Sequence, residues 1–520
     1  MLELAGIKSY EYSNISFLKC IKISSIFGIM SKQAVIIGGG FGGLSSAALL
    51  ARDGWDVTVV EKLDEVGGRA RPWKTEGYVF DLGPSWYLMP EVFERYFALF
   101  GRDRKDYYNL FPLDPYYKVF FGKDDTALLS PREDENIALF ESFETGGGAE
   151  LSRYMEQATY KYEVAMKDFL YRGYKHIGEF FNRRLMTEGL RLGIFKKLDR
   201  FVGDYFDDRR ARQILEYAMV FLGTSPADAP AIYSIMSHVD LKLGVFFPED
   251  GMAGAAQGIA KLCKELGVEI VTGEEVVHIR TESGKAVAVE TAKHVYPADV
   301  VVSGADYHHV DQELLGQGSS QYSERYWEKR VVAPSMFIAY LGINRKLKNL
   351  EHHNLYFAED WNVHFDTIFK KPAWPQKPCF YLSCISKTDA KSAPEGAENV
   401  FLLVPVAPGL ADTDEQREAY LAHVLDHVRE VTGEDLTKDV AVQRIYSHRD
   451  FAQDYHAFKG TALGLSHTLM QTAIFRPSSR SKRVENVFFT GQYTHPGVGV
   501  PMVLIASEIV ADEIRKTYGT

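Results

Sequence analysis

The sequence predicts an α/β fold (α+β in its later parts): a Rossmann-like nucleotide-binding domain assembled from discontinuous segments, an inserted mixed α/β domain, and a helical part suited to a membrane surface. Three observations predict it. A β-branched apolar run, Ala34-Val35-Ile36-Ile37, ends in a cluster of glycines, the pattern of a strand buried on both faces of a parallel sheet. A helical stretch from Leu44 to Asp53 and a second apolar run, Val57-Thr58-Val59-Val60, follow at once and complete a βαβ unit. Comparable runs return far along the chain, at Val268–Val271, Val276–Ile279, Ala286–Glu290, Val300–Ser303 and Val487–Phe489.

The expected boundaries follow from that spacing. Residues 31–110, 245–330 and 480–520 form the nucleotide-binding domain, and residues 111–244 and 331–479 form the domain that meets substrate and membrane. The stretch from Leu110 to Gly244 is rich in aromatics and helical periodicity, whereas Phe401-Leu402-Leu403-Val404 reads as a strand. A helix is expected from Pro501 to Tyr518, since proline suits a first helical position. Residues 1–30 carry Lys8, Lys19 and Lys22 and a mildly apolar stretch, without an A-x-A-like cleavage site. They are expected to be an appendage, or to precede a start at Met30.

Composition excludes several classes. Of 520 residues, 46% are hydrophobic and 25% charged, which is the balance of a globular chain and not of a disordered one. A net charge of −11 disfavours nucleic acid as a partner. The four cysteines, Cys20, Cys263, Cys379 and Cys384, form no C-x-x-C pair and no disulfide scaffold, as in a reducing, cytoplasmic compartment. No window reaches the roughly 18 apolar residues that a bilayer-crossing helix needs.

Gly38-Gly39-Gly40-Phe41-Gly42-Gly43 satisfies G-x-G-x-x-G with Gly38, Gly40 and Gly43. The three glycines permit a tight turn, close approach of the backbone to a pyrophosphate, and packing of helix on strand. Glu61 ends the second strand 18 residues after Gly43, where a carboxylate meets a ribose hydroxyl. Glu61-Lys62 then leads into Val66-Gly67-Gly68-Arg69, in which paired glycines admit a cofactor and Arg69 offers a fixed charge to its phosphates. This second motif is similar to that of FAD-binding amine oxidases and desaturases, which makes FAD the expected cofactor. A second G-x-G-x-x-G is missing from the sequence. The flavin is therefore expected to be reduced by the substrate itself and reoxidised by oxygen or a quinone.

From about Ser31 to its end the chain resembles the bacterial phytoene desaturases. Gly77-Tyr78-Val79-Phe80-Asp81-Leu82-Gly83-Pro84-Ser85-Trp86 is similar to that family's segment beside the flavin, with Ser85 for threonine. Ile232-Tyr233 and Gly244-Val245-Phe246-Phe247-Pro248 match two further signatures, although Asp250 stands where glycine is common. Val300-Val301-Val302-Ser303-Gly304-Ala305-Asp306 matches another, with Gly304 for asparagine. The C-terminal Gly491-Gln492-Tyr493-Thr494-His495-Pro496-Gly497-Val498-Gly499-Val500-Pro501 is the most specific, and its Gln492 and Tyr493 are expected to narrow the pocket. The resemblance implies that Gly491 and Val500 lie against the flavin and the backbone of Val277 against the adenine. It also implies conversion of phytoene to lycopene (or neurosporene) by hydride transfer to flavin.

Other readings compete. A related C30 carotenoid desaturase, a carotenoid ketolase or a polyene isomerase would differ only in tunnel shape. A flavin amine oxidase or a non-catalytic lipid-binding escort protein would share the architecture. His423 and His427 share a helix face and are expected to be solvated, with no metal site. The acids Glu141, Glu144 and Glu150 belong to no motif, which leaves the proton acceptor unidentified. His495 is the one candidate, either in a direct role or as a loop residue that fixes backbone geometry. Finally, nine basic and four acidic side chains alternate with aromatics between Met166 and Arg200. That mixture suits an interfacial helix that docks the protein on the inner face of the cell membrane, at the mouth of a tunnel for a hydrophobic polyene.

Overall fold

The computed structural model describes residues 32–174, 192–316 and 318–519. A five-stranded, all-parallel sheet lies in the order Val487–Phe489, Val300–Ser303, Gln33–Ile37, Asp56–Val60, Glu269–Val271. The first strand is central, with Ala34 opposite Val57 on one side and Val300 on the other. Its side chains alternate between two cores, as a strand's period of two requires. Ala34 and Ile36 pack under the helices Phe41–Arg52, Gly251–Glu265 and Val500–Tyr518, while Val35 and Ile37 face the antiparallel ribbon Val276–Glu282, Lys285–Thr291, Val295–Pro297.

The C-terminal helix is tied to the N-terminal one by side chains as well as by packing. Ser507 Oγ donates to the carbonyl of Gly42 (3.1 Å), and Arg515 pairs with Asp53 at 2.7 Å.

A second, seven-stranded sheet runs in the order Val440–Tyr446, Ser335–Ile343, Glu398–Val406, Phe380–Ser383, His353–Tyr356, Tyr117–Gly122, Asp125–Leu129. All neighbours are antiparallel except His353–Tyr356 and Tyr117–Gly122, where Asn354 lies beside Lys118 in a parallel pair. Alternation again divides its residues. Phe337, Ala339 and Leu402 pack under the helix Asp414–Thr432, whereas Met336, Ile338 and Leu403 face a cavity on the other side.

Two local expectations are corrected here. The hairpin Tyr117–Leu129 lies inside the stretch expected to be mainly helical, because its outward residues include both the polar Lys118 and Thr126 and the apolar Leu128, which blurs the strand alternation. His427 is turned away from solvent against the rings of Tyr356 and Phe380, while its neighbour on the helix face, His423, stays exposed and donates to the Gln376 carbonyl at 2.6 Å. Of the segment expected to dock on a membrane, residues 175–191 lie outside the described residues. No described helix is long and apolar enough to cross a membrane.

Candidate functional site

The strand Gln33–Ile37 ends in Gly38, whose φ of +93° starts the turn, and the Gly38 amide donates to the Val60 carbonyl at 2.9 Å. A methyl group at Gly43 would stand 1.8 Å from the Gly38 carbonyl oxygen, so only a bare backbone lets this helix close on its strand. At Gly40 a methyl group would meet only the Gly68 Cα, at 3.8 Å. The loop Gly67–Ala70 crosses directly over this turn, with the Gly67 amide donating to the Gly39 carbonyl at 2.8 Å. Two glycine turns thus meet backbone to backbone, and no side chain stands between them and the cavity.

Glu61 leaves the second strand and turns back to this turn. Its carboxylate accepts from the amides of Gly39 (2.5 Å) and Leu63 (2.8 Å), while burial raises its pKa above the ordinary value. Two of its four lone-pair directions stay free at the cavity wall. Arg69 lies with its guanidinium 4.8 Å over the Tyr455 ring, and its Nε and Nη2 are buried without a partner. A buried cation with unused donors beside a bare-backbone turn fits an anionic phosphate group. The dinucleotide FAD therefore fits the donors present.

Lys62 is engaged otherwise. Its Nζ donates to the Gln453 carbonyl (2.6 Å) and stands 3.4 Å from Glu275. Arg71 pairs with Asp454, the Tyr455 hydroxyl donates to the Gly68 carbonyl (3.2 Å), and His456 Nε2 contacts Glu275 at 2.6 Å. The end of the helix His448–Tyr455 is thereby strapped across the Gly67–Ala70 loop. Sequence reasoning missed these partners, because residues 453–456 carry no motif and meet the loop only through the fold.

Val277 sits on its strand with its side chain 53% exposed, and the neighbouring Glu275 and Val276 line the cavity. Gly491 and Val500 both line it. The loop between them is held from behind by Arg476, which donates to the carbonyls of Gln492 (2.6 Å) and Tyr493 (3.2 Å). Gln492 and Tyr493 reach the cavity wall, and the Tyr493 hydroxyl is tied to Asp306 at 2.8 Å. The Val498 amide donates to His467 Nε2 (3.2 Å), so His467 Nδ1 carries the proton that faces the Tyr233 hydroxyl at 2.8 Å. His495 lines the same wall with its Nε2 3.3 Å from the Phe169 carbonyl.

The family-signature residues also gain physical roles. Asp81 accepts from the amides of Met252 (3.0 Å) and Ala253 (3.2 Å) and so caps the helix Gly251–Glu265. Asp250 has a φ of +60°, a left-handed position that aspartate tolerates and glycine prefers. Gly304 ends its strand so close to the first turn that a methyl group would stand 2.9 Å from the Gly43 nitrogen, which leaves no room for asparagine.

One cavity of about 580 Å³ joins these parts. Gly38, Gly40, Glu61 and Arg69 line it, and so do Leu222, Ile232, Met336, Ile338 and Leu403. Bare backbone and charged side chains line one part of it, and aliphatic side chains the other.

The model of the flavin-containing amine oxidoreductase family matches residues 41–515. The chain is 42% identical over 488 residues to a carotenoid 3,4-desaturase of Haloarcula japonica, covering 94% of this chain and 98% of that protein. It is 32% identical to a zeta-carotene-forming phytoene desaturase of Myxococcus xanthus, over 93% of this chain and 94% of that one. A 4,4'-diapophytoene desaturase of Staphylococcus aureus is 30% identical, over 93% of this chain and 99% of its own. Among solved structures, an oxidoreductase from Methanosarcina mazei superposes with a TM-score of 0.61 at 16% identity, over 92% of this chain and 100% of that one.

Proposed function

The chain belongs to the flavin-containing amine oxidoreductases and, within them, to the FAD-dependent carotenoid desaturases, and from that premise we propose that it introduces double bonds into an acyclic C40 carotenoid. The observation that carries this reading is the single cavity lined by the glycine turns at one part and by aliphatic side chains at another. Bound FAD supplies the two-electron oxidant. Gly38, Gly40, Gly43, Gly68 and Arg69 would hold its pyrophosphate, Glu61 its ribose, and the backbone at Val276 and Val277 its adenine. Lys62 would close the rim, while Gly491 and Val500 would bear on the flavin ring. The bare N-terminus of the helix Val500–Tyr518 favours negative charge beside that ring.

The 42% identity to a 3,4-desaturase favours 3,4-desaturation of a lycopene-like polyene over desaturation of phytoene, which stays the second reading because the 32% relative is a zeta-carotene-forming phytoene desaturase. Co-expression with a lycopene-forming or a phytoene-forming pathway, followed by pigment analysis, separates them. A longer chromophore from lycopene is expected, lycopene from phytoene supports the second reading, and unchanged pigments in both strains would refute both. Reoxidation is by oxygen or a quinone, a reading supported by the single nucleotide motif.

Contact with a cytoplasmic membrane surface is part of the same proposal. Phe195 is 77% exposed and Met470 64% exposed, each next to a cavity-lining residue, Ile194 and Leu469. Exposed apolar side chains next in sequence to cavity-lining residues suit entry of a substrate from lipid. Lys196 and Lys197 contribute less to such docking, since they already pair with Asp204 and Asp228. The double variant Phe195→Asp, Met470→Asp is expected to lose co-sedimentation with anionic liposomes while it keeps FAD. Unchanged sedimentation would remove this part of the proposal.

A further inference from the structure

The cavity wall changes character where the seven-stranded sheet meets the cofactor loops. Ile338, Leu403 and Tyr381 are register partners on three neighbouring strands and all line the cavity, the first two as aliphatic chains and the third as a ring. Trp86 and Phe221 line it as well, so that three aromatic side chains form one corner. Trp86 is reached directly from the second glycine loop. The Leu82 amide donates to the Arg71 carbonyl at 3.1 Å, and a methyl group at Gly83 would stand 2.5 Å from the Arg69 carbonyl oxygen. Gly83, Pro84, Ser85 and Trp86 then line the cavity one after another. The indole and the Phe221 ring are only partly buried, although they pack into a buried cluster.

This corner is built not to give. The indole lies flat on His353, with centroids 4.4 Å apart and 6° between the planes. Tyr117, Phe221, Tyr381 and Tyr217 surround it with centroids at 5.2, 5.7, 6.0 and 6.2 Å. Most of these rings are anchored in turn. The hydroxyls of Tyr117 and Tyr217 both donate to Asp240 Oδ2, at 3.0 and 2.8 Å, and the Tyr381 hydroxyl stands 2.7 Å from His353 Nδ1. Burial holds the pKa of His353 well below the ordinary histidine value, so the ring beneath the indole is neutral and the stack does not rest on its charge.

From this geometry we infer that Trp86, with Phe221 and Tyr381 beside it, is a specificity-determining residue that selects an already conjugated polyene over a methylene-interrupted one. The inference rests on the carotenoid desaturase reading and names the substrate class within it. A conjugated polyene is flat and stiff, so it loses little freedom on lying against fixed rings, and its π electrons meet their faces and edges. A chain interrupted by methylene groups has several staggered states at each saturated bond, and it must give them up to follow a wall that does not move. Leucine, isoleucine and methionine change rotamer to suit either chain, so the rest of the apolar wall discriminates less.

The test is a competition, with lycopene and phytoene mixed in the same liposomes, FAD-loaded protein, and both oxygen and a soluble quinone present. Consumption of each polyene, followed by chromatography, gives the ratio of their kcat/KM values whatever the amount of active protein. The wild type is expected to favour lycopene by about tenfold, and Trp86→Leu to remove most of that preference, the scale of a lost aromatic contact. Trp86→Phe is expected to stay within about threefold of the wild-type ratio, and Phe221→Leu to lower it by about threefold or more. A merely structural role would slow both polyenes alike and leave the ratio where it was. FAD content is measured for every variant, and if Trp86→Leu lacks flavin, Phe221→Leu decides. A wild type that favours phytoene, a ratio unchanged in the deciding leucine variant, or a shift in Trp86→Phe as large as in Trp86→Leu would each overturn the inference while the desaturase reading stands. A flavin-loaded wild type that consumes neither polyene would instead overturn the desaturase reading, and the inference with it.

Discussion

Gly40 and Gly43 lie three residues apart, and a methyl group added to each would meet different things. At Gly43 it would run into the Gly38 carbonyl at 1.8 Å, whereas at Gly40, on the cavity wall, it would meet only the Gly68 Cα at 3.8 Å. Gly43→Ala is therefore expected to destabilise the fold by about 1–3 kcal/mol or more, the cost of overpacking a closed contact, seen as a lower Tm. Gly40→Val is expected to fold with a near-normal Tm and without FAD. Full flavin in Gly40→Val would contradict the site. Both residues, with Glu61 and Arg69, were legible because a phosphate-binding turn is local and its spacing is set by one helix and two strands. His495 was legible only as a position in a loop. Its Nε2 faces the Phe169 carbonyl, 326 residues away in the chain, a contact that no spacing rule reaches.

At the scale of elements, the strap across the second glycine loop is where sequence reasoning ran out. The central strands stood out as short β-branched runs because both of their faces are buried. The helix His448–Tyr455 looks ordinary until the fold sets Asp454 on Arg71, Tyr455 on Gly68 and the Gln453 carbonyl on Lys62. These contacts bridge the seven-stranded sheet's side of the molecule to the nucleotide turn, so they oppose opening of the cavity. Asp454→Ala is expected to speed FAD release about tenfold, equivalent to roughly 1.4 kcal/mol, as measured by the rise of free-flavin fluorescence on dilution. An unchanged release rate would mean that the strap is packing without a retaining role. The hairpin Tyr117–Leu129 was missed for a related reason: its partner strand, His353–Tyr356, lies more than 200 residues downstream, and its own alternation is diluted by half-exposed polar residues.

At the scale of the whole molecule, a parallel sheet built from residues 33–60, 269–303 and 487–489 shares one cavity with a seven-stranded sheet built from residues 117–129 and 335–446. The discontinuity of the first sheet could be read from where apolar runs recur. The facing of the two sheets could not, since it is set by side-chain alternation within the second sheet, with Met336, Ile338 and Leu403 turned to the cavity and Phe337 and Leu402 away from it. The account's central claim is that this shared cavity brings a carotenoid to a flavin that needs no other reductant. The most direct measurement is an anaerobic titration of the purified, FAD-loaded protein with liposomal lycopene or phytoene in the absence of NAD(P)H. The account predicts bleaching of the oxidised-flavin band, one new double bond per flavin reduced, and recovery of the band on addition of oxygen or a quinone. A flavin band untouched by either polyene, or bleached only by NAD(P)H, would contradict it.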